Sequence, residues 1–415
     1  MHLKGLGMRT ISIAEFKRVL LDIPDNPRVL ASGNFATPTT LLNAFDSVIP
    51  KYNLHMLNAQ LGIPDREGVT YESAFVGPGM RKSPRLNYVP SRLSLLPVLI
   101  RDHLIPDIVL IHTSARRFDT VSLGTEVNIL PAAIETVRAR GGIVVAQSNK
   151  NMPYTYGDAQ IYENEIDFLI EVDEPLQEHH PKPLTPIAKA IGQKIAELVK
   201  DSSTLQMGIG AVPDAVLELL QNRSGLRIWT EMFSDGVLNL HKADALDDEV
   251  PITASFLFGS RELYDWVNLN RRVQMLRTEK TNDPSLIAKQ ARMTSVNAAL
   301  QVDLYDQANA SRVNGEIHSG FGGSTDFIVG ALHSRGGHSF MALPSWHKNT
   351  NKSTIVPLID SAVTSFQHSY VVTENGVAKC FGKSQAEQAQ NIINYAAHID
   401  AREDLAAAGK KMGLF

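Results

Sequence analysis

Short apolar runs alternate with amphipathic segments along most of the chain. RVLASG, PDIVLIHTS, GGIVVAQSN and EIDFLIEVD are almost continuously apolar, whereas TPTTLLNAF and LPAAIETVRAR carry one apolar face at helical spacing. Near-continuous apolar strands separated by helices are typical of a buried parallel sheet with helices on both faces. The pattern therefore predicts an α/β fold.

A stretch dense in proline and charge, DEPLQEHHPKPLTPI at residues 173–187, interrupts this alternation. Prolines so close together make a poor interior for either a helix or a strand. The alternation resumes afterwards with AKAIGQKIAELVKDS, STLQMGIG, PDAVLELLQNR and LRIWTEM. Since 415 residues are too many for one typical core, we predict two open α/β domains, residues 1–184 and residues 185–415.

Composition favours small-molecule chemistry inside a reducing compartment. The chain is 43% hydrophobic and 20% charged, with a net charge of −4, so it lacks the basic surface expected of a nucleic-acid-binding protein. Cys380 is the only cysteine, which excludes an intrachain disulfide and a cysteine zinc cluster. His179 and His180 have no third ligand nearby, so we assign no metal.

Targeting signals are also missing from the sequence pattern. No stretch approaches the roughly 20 apolar residues of a membrane helix, and MHLKGLGMRT contains no secretory apolar region.

The motifs of three common enzyme classes are also absent from the sequence. The missing motifs are GxSxG, GxxxxGK[ST] and HExxH, which disfavours a serine hydrolase, a P-loop NTPase and a zinc protease. We expect a cytoplasmic protein without nucleic-acid or membrane partners, and a homo-oligomer by default.

The segment STLQMGIGAVPDAVLELL predicts a strand, a glycine turn and a helix. The strand reaches Gly208, the chain turns at Gly210, and Pro213 suits the first helical position. Exposed N–H groups at a helix start attract phosphate. The alternative is an ordinary tight turn. The candidate phosphate-binding residues are Gly208, Ile209, Gly210, Ala211 and Val212.

Glu231 lies where the apolar run LRIWTEM ends, one strand after the glycine turn. A carboxylate that leaves a neighbouring strand can reach the reactive end of a ligand held by the turn. A single glutamate is, however, more often solvated than catalytic. With an ordinary pKa of about 4.3, Glu231 would be ionised at pH 7 and could act as a nucleophile without a general base.

A second glycine cluster, SGFGGSTDF, begins at Ser319 and contains Gly320, Gly322 and Gly323. Glycines allow close backbone approach, and their N–H groups could form an oxyanion hole. A simple turned loop is the alternative. Asn282, in KTNDPSL, could equally be the N-cap of the following helix.

These segments together resemble the acetyl-CoA hydrolase/transferase family, which includes 4-hydroxybutyrate CoA-transferase and the butyryl-CoA or succinyl-CoA:acetate CoA-transferases. The likeness runs from about Arg28 to about Arg402. It is carried by FVGPGMRK, NMPYTYGDAQIYENEIDFLIEVDEPL, LQMGIGAVPDAV, TEMFSDGVL, NDPSLIA, SGFGGSTDF and VVTENGVA. The resemblance implies two CoA-transferase-type domains with the active site between them, the carboxylate substrate on the N-terminal side.

By this resemblance, Glu231 matches the family's nucleophile, and Asn282 and Gly323 match its oxyanion donors. The turn at Gly208–Val212 matches the CoA-binding turn, and Ser319, Gly320, Gly322 and Lys348 are expected to contact CoA. The implied reaction moves CoA between a short-chain acyl-CoA and a free acid through a glutamyl-CoA thioester, with CoA as substrate and no resident cofactor. The alternatives are an acyl-CoA hydrolase and a non-catalytic acyl-CoA sensor.

The chain departs from the family pattern at TSARRFDTVSLG, where Arg116 and Arg117 occupy a loop. We hypothesise that one of them pairs with the second carboxylate of a dicarboxylic acid such as itaconate or succinate, because a guanidinium binds carboxylate bidentately. A solvated surface pair is the alternative. PSWHKNTNKSTIVP, which follows Leu343 and contains Lys348, also departs from the family text.

Overall fold

The computed structural model describes residues 7–180, 183–363 and 367–415. Within the proline-rich stretch, Pro181 and Lys182 lie outside the described residues. The chain divides into two compact α/β units. The first comprises Met1–His179, Thr253–Lys280 and Ile317–Gly322, and the second comprises His180–Ile252, Thr281–Glu316 and Gly323–Phe415. The predicted boundary lies close to the first crossing, but the prediction of two continuous domains did not include the two later segments of the first unit.

An eight-stranded sheet forms the centre of the first unit, and all its neighbouring strands are parallel. The run PDIVLIHTS forms its longest buried strand, in which every residue is buried. Its first four residues, IVLI, are all apolar, as is typical of a strand in a parallel sheet whose two faces are covered by helices. Across the sheet, the strands are Arg9–Thr10, Phe168–Val172, Ile143–Asn149, Ile108–Ser114, Arg28–Ala31, Tyr52–His55, Val69–Ser73 and Leu86–Tyr88.

Helices of the first unit follow the amphipathic segments of the sequence. They are Ile13–Val19, Thr39–Asp46, Leu96–Asp102, Leu130–Arg140 and Arg261–Val267. Shorter elements are the helix Thr278–Thr281 and the strands Thr120–Ser122, Tyr156–Gly157, Gln160–Tyr162, Ile252–Ala254, Phe256–Leu257 and Val273–Met275.

A six-stranded sheet forms the centre of the second unit. Its first five strands are parallel, and the last is antiparallel to its neighbour. In order, the strands are Arg227–Ile228, Thr204–Met207, Thr294–Ala298, His338–Ala342, Tyr370–Thr373 and Gly376–Lys379. The helices are Pro186–Leu198, Ala211–Leu219, Asp235–Lys242, Pro284–Ile287, Ser324–His333, Gln385–Asn391 and Arg402–Lys411, and Ile392–Ala396 is π-helical. Short strands elsewhere are Met232–Phe233, Gln301–Asp303, Ala308–Asn309, Arg312–Val313, Glu316–Ile317, Trp346–His347, Lys352–Ser353 and Ile355–Val356.

Parallel pairing in this sheet sets the position of the candidate site. Leu205 lies opposite Ile228 in adjacent parallel strands, so the two strands end at the same edge. The glycine turn and Glu231 both follow these ends. A close helix contact supports the turn: a Cβ on Gly192, in the helix Pro186–Leu198, would lie 2.8 Å from the Cβ of Ala215 in the helix that follows the turn.

Candidate active site

The residues that flank Glu231 fix it at the edge of the second unit's sheet. The Trp229 backbone N–H donates to the Leu205 carbonyl (3.2 Å), and the indole Nε1 donates to the Thr281 carbonyl (3.0 Å). The Thr230 hydroxyl donates to the Met232 carbonyl (2.8 Å). The chain is therefore held on both sides of residue 231, whose own side chain is half-buried.

Two hydrogen-bond donors converge on the Glu231 carboxyl group. Asn282 Nδ2 donates to Glu231 Oε2 at 3.0 Å, and the Gly323 backbone N–H donates to the same carboxyl group. Asn282 is fully buried, and its Oδ1 accepts from the Thr281 hydroxyl (2.9 Å). Since Oδ1 is engaged there, the amide must turn its N–H group toward Glu231.

Gly323 lies so close to both partners that a side chain at this position would displace at least one of them. A Cβ at this position would lie 2.0 Å from Asn282 Nδ2 and 2.0 Å from Glu231 Oε2. Gly323 is also the N-cap of the helix Ser324–His333, where backbone N–H groups have no partner inside the helix. The start of this helix therefore supplies the Gly323 N–H to the Glu231 carboxyl group, at a position where a side chain would disturb that contact.

Burial raises the pKa of Glu231 to about 7. The Asn282 hydrogen bond opposes this shift, the negative charge of Asp326 adds to it, and the Gly323 hydrogen bond again opposes it. The expectation of an ordinary, fully ionised glutamate at pH 7 was therefore wrong for the ligand-free protein. Loss of hydration outweighs two hydrogen bonds, because a desolvated carboxyl group favours its neutral form.

The glycine turn ends in a helix, as predicted, but the helix begins earlier than expected. Gly210 has φ 117° and is the N-cap, so the helix starts at Ala211 and Pro213 is its third residue instead of its first. Proline is tolerated there because the N–H groups of the first turn have no intrahelical acceptor. Ile209, Gly210 and Ala211 are exposed, which leaves the turn accessible.

A cavity of about 370 Å³ brings Lys348 and the turn together. It is lined by Ala211 and Val212, by the start of the helix Pro186–Leu198, and by the segment Trp346–Asn349. The starts of two helices and a lysine favour an anionic ligand. The resemblance assigned both Lys348 and the glycine turn to CoA binding, and the cavity is lined by Lys348 and by Ala211 and Val212 of that turn.

Comparison with known proteins decides the family. A 4-hydroxybutyrate coenzyme A transferase from Clostridium kluyveri is 36% identical over 418 residues, which cover 95% of this chain and 96% of that protein. Residues 259–408 match the model of the acetyl-CoA hydrolase/transferase C-terminal domain. This chain belongs to the acetyl-CoA hydrolase/transferase family. The sequence-based prediction of a CoA-transferase enzyme is confirmed.

Solved structures agree with this assignment to the acetyl-CoA hydrolase/transferase family. RipA from Yersinia pestis superposes with a TM-score of 0.90 at 28% identity, covering 98% of both chains. A 4-hydroxybutyrate CoA-transferase from Porphyromonas gingivalis superposes with a TM-score of 0.82 at 30% identity, covering 97% of this chain and 98% of that one. The predicted CoA-transferase type of α/β fold is confirmed.

Asn282 does not have the structural role that its sequence context suggested. The helix Pro284–Ile287 is capped by Asp283, whose side chain accepts from the Ser285 N–H (2.7 Å). Asn282 is therefore available to Glu231, in keeping with the donor role implied by likeness to the acetyl-CoA hydrolase/transferase family. Because Asp283 caps the helix, Asn282 can donate to Glu231.

The second glycine cluster is divided between the two units. Gly320 pairs with Phe75 in the first unit, where a Cβ would lie 2.1 Å from the Ala74 carbonyl oxygen. Gly322 has φ 57°, and its carbonyl accepts from the Leu93 N–H (2.9 Å). The Ser319 carbonyl accepts from the Val76 N–H (2.8 Å). These contacts explain Gly320 and Gly322 by packing, and CoA contact by Ser319, Gly320 and Gly322 stays a prediction.

Arg116 and Arg117, which depart from the acetyl-CoA hydrolase/transferase pattern, are exposed in the first unit. Arg116 Nη1 lies 3.3 Å from Glu163 Oε2, and the Arg117 guanidinium lies 5.6 Å from the centre of the Phe118 ring. An exposed ion pair of this kind holds its arginine only weakly. Contact with a dicarboxylate therefore stays a prediction.

The described residues 7–180, 183–363 and 367–415 contain no group of three or more His, Cys, Asp or Glu placed to hold a metal ion, and no helix among them is both long and apolar enough to cross a bilayer. Burial raises the pKa of the Cys380 thiol well above its usual value, so this cysteine is not a reactive thiolate.

The raised pKa of Glu231 predicts a pH dependence for this member of the acetyl-CoA hydrolase/transferase family. Below about pH 7 the carboxyl group is mostly neutral and cannot attack. We expect kcat/KM for the acyl-CoA to fall about tenfold per pH unit below this point and to level off above it. Initial rates between pH 5.5 and 9 measure this limb, and a kcat/KM that stays constant down to pH 5.5 would contradict the desolvated glutamate.

Proposed function

We propose that the protein moves CoA between a short-chain acyl-CoA and a free carboxylic acid by a ping-pong mechanism through a thioester on Glu231. One observation carries the proposal: a half-buried carboxyl group receives Asn282 Nδ2 at 3.0 Å on Oε2 and the Gly323 N–H on the same group. A half-buried carboxyl group that has a pKa near 7 and receives two hydrogen bonds is more typical of a functional site than of a structural glutamate.

In the proposed reaction, the bonds change in the following order. Oε1 of ionised Glu231 attacks the acyl carbonyl carbon, the C–S bond breaks, and CoA leaves as a thiolate with an acyl-glutamyl anhydride behind it. The thiolate then attacks the glutamyl carbonyl carbon and releases the first acid as a carboxylate, which leaves the glutamyl-CoA thioester. A second acid reverses the sequence and leaves as the new acyl-CoA.

Asn282 and Gly323 act where the negative charge appears. When the thiolate or the incoming carboxylate attacks the glutamyl carbon, the charge develops on the oxygen that remains, Oε2. Asn282 Nδ2 already donates to this oxygen at 3.0 Å. A pre-placed donor of this kind contributes roughly 10²–10³ in rate in other acyl-transfer enzymes.

Binding of the remote end of CoA supports the difficult step. A carboxylate is a poor nucleophile toward a thioester, so binding energy from the nonreacting part of CoA must be used at the reacting carbon. The cavity lined by Ala211, Val212 and Lys348 offers an anionic group two helix starts and a cation. We propose it as the binding site for the phosphate-bearing part of CoA.

Hydrolysis of acyl-CoA is the second candidate function. Glu231 is half-buried instead of fully enclosed, so water could reach the thioester in place of an acid. A non-catalytic sensor is disfavoured, because it would have no use for donors on a carboxyl group of raised pKa.

A trapping experiment tests the proposal. The protein is incubated with acetyl-CoA, reduced with borohydride and digested, and the modified peptide is located by mass spectrometry. Modification at Glu231 in the native protein and none in Glu231→Gln supports both enzymatic readings, whereas an unmodified Glu231 contradicts them. Turnover in the presence and absence of butyrate, 4-hydroxybutyrate and succinate then distinguishes transfer from hydrolysis.

A further inference from the structure

The helix start that contacts Glu231 carries a second, buried acid. Gly323 is the N-cap of the helix Ser324–His333, and its N–H donates to the Glu231 carboxyl group. Asp326 is the third residue of this helix, and only 1% of its surface is exposed. Helical side chains lean toward the N-terminus of their helix. Asp326 therefore belongs to the same end of the helix as the contact with Glu231.

This position places a negative charge near Glu231. An acidic side chain three residues after an N-cap commonly returns toward the N-cap backbone. In this helix the N-cap backbone lies against Glu231, because a Cβ on Gly323 would be 2.0 Å from Glu231 Oε2. In agreement with this geometry, the negative charge of Asp326 raises the pKa of Glu231, as expected when two acids share one site.

The other groups around Glu231 are neutral or belong to other contacts. Both hydrogen-bond donors to its carboxyl group are uncharged. Asp283, which follows Asn282, caps the next helix with its carboxylate, and Asp235 begins the helix that follows Glu231. Neither of these two acids contributes to the pKa of Glu231. In the part of the chain that the structure describes, Asp326 is therefore the charged side chain that acts on Glu231.

A negative charge beside Glu231 changes the balance between its free and acylated forms. Thioester formation consumes the Glu231 carboxylate and acyl-CoA, forms the glutamyl C–S bond and releases the first acid as a carboxylate. The glutamyl group is thus charged before this exchange and neutral after it. A neighbouring charge raises the free energy of the carboxylate, but not that of the neutral thioester or the protonated acid. A repulsion that lowers the acid dissociation constant tenfold therefore raises the equilibrium constant for thioester formation tenfold.

We propose that Asp326 acts through Glu231 as a positioning residue: its negative charge, held at the helix start that contacts Glu231, destabilises the free carboxylate and favours the glutamyl-CoA thioester. This inference rests on the proposed function. Asn282 and Gly323 donate to the resting carboxylate as well as to the later oxyanion, and a donor that stabilises both states equally does not accelerate the reaction. Asp326 offsets the stabilisation of the resting carboxylate.

The equilibrium of thioester formation provides the test. Native protein is mixed with acetyl-CoA and acetate at fixed ratios and quenched with acid, and mass spectrometry measures the fraction that carries CoA on Glu231. In the native protein we expect the apparent equilibrium constant to level off above about pH 7. Below this pH it should fall about tenfold per pH unit, because the protonated glutamic acid must first lose its proton.

Asp326→Asn removes the charge with little change in size. We expect the plateau of the equilibrium constant to fall about 10-fold or more. The pH at which the constant levels off should fall with it, by about one pH unit for each tenfold loss, because one repulsion controls both quantities. Asp326→Glu restores the charge and should recover most of both. Asp404→Asn is the matched control and should change neither, since Asp404 is also the third residue of its helix but is exposed.

A folded Asp326→Asn protein with a native plateau and a native levelling pH would overturn the inference. A lower plateau at an unchanged levelling pH would also overturn it, because loss of packing alone gives that result. Asp326→Ser, which has a smaller side chain, provides the same measurement if the asparagine variant does not fold. If native protein forms no thioester on Glu231, the proposed function itself is rejected. If native protein forms it and the uncharged variants behave alike, only the role of Asp326 is rejected.

Discussion

Glu231→Gln is expected to lower kcat for CoA transfer by about 10⁴-fold or more, because an amide cannot form the anhydride or the thioester. The variant keeps the size of the side chain and can still receive the hydrogen bond from Asn282 Nδ2, which lies 3.0 Å from Oε2 in the native protein. The effect is measured as the rate of CoA transfer from acetyl-CoA to butyrate, monitored by the loss of acetyl-CoA and the appearance of butyryl-CoA.

Thermal unfolding provides the control for this variant. The folded-state pKa of Glu231 is raised from its ordinary value of 4.5 to about 7, so the fold disfavours the ionised form, and the resulting loss of stability accumulates as the pH rises from about 4.5 and is complete above about 7. The unfolding temperature of Glu231→Gln relative to that of the native protein should therefore be higher at pH 8 than at pH 4.5, where the carboxyl-dependent loss of stability is absent. Native-like turnover by a folded Glu231→Gln protein would exclude the covalent mechanism.

Gly323→Ala is expected to lower kcat by about 10²- to 10³-fold, the range found when an oxyanion donor is lost. The new Cβ would lie 2.0 Å from both Glu231 Oε2 and Asn282 Nδ2, so at least one of them must move. KM for acetyl-CoA should change much less than kcat, because Gly323 is not among the residues that line the cavity at Lys348. Steady-state kinetics with acetyl-CoA and butyrate separate the two constants.

Gly7→Ala is the matched control, because a Cβ on Gly7 would meet no atom within 4 Å. It should retain native kcat and KM. An active Gly323→Ala protein would show that the donor geometry around Glu231 is dispensable.

Much of the fold was predictable because local and global requirements agree along the strands. PDIVLIHTS and EIDFLIEVD each contain a short apolar run, and both form parallel strands of the first unit's sheet, Ile108–Ser114 and Phe168–Val172. The returns of residues 253–280 and 317–322 to the first unit were not predictable. Nothing in their composition indicates which of the two units they join.

The site was predictable in its residues but not in its electrostatics. Glu231, Asn282 and Gly323 were singled out from local patterns and the family likeness, and the structure places both donors on the Glu231 carboxyl group. The raised pKa depends on burial and on Asp326, which is far from Glu231 in sequence.

The interleaved course of the chain has a consequence for its synthesis. The first unit takes its last segment from Ile317–Gly322, and the second unit ends only at Phe415. On the ribosome, all eight strands of the first unit's central sheet emerge early, within Arg9–Val172, but the unit stays incomplete until Gly322 has emerged, so apolar surface that the late segments cover has to be shielded meanwhile. A fragment that ends before residue 317 would lack the last segment of the first unit.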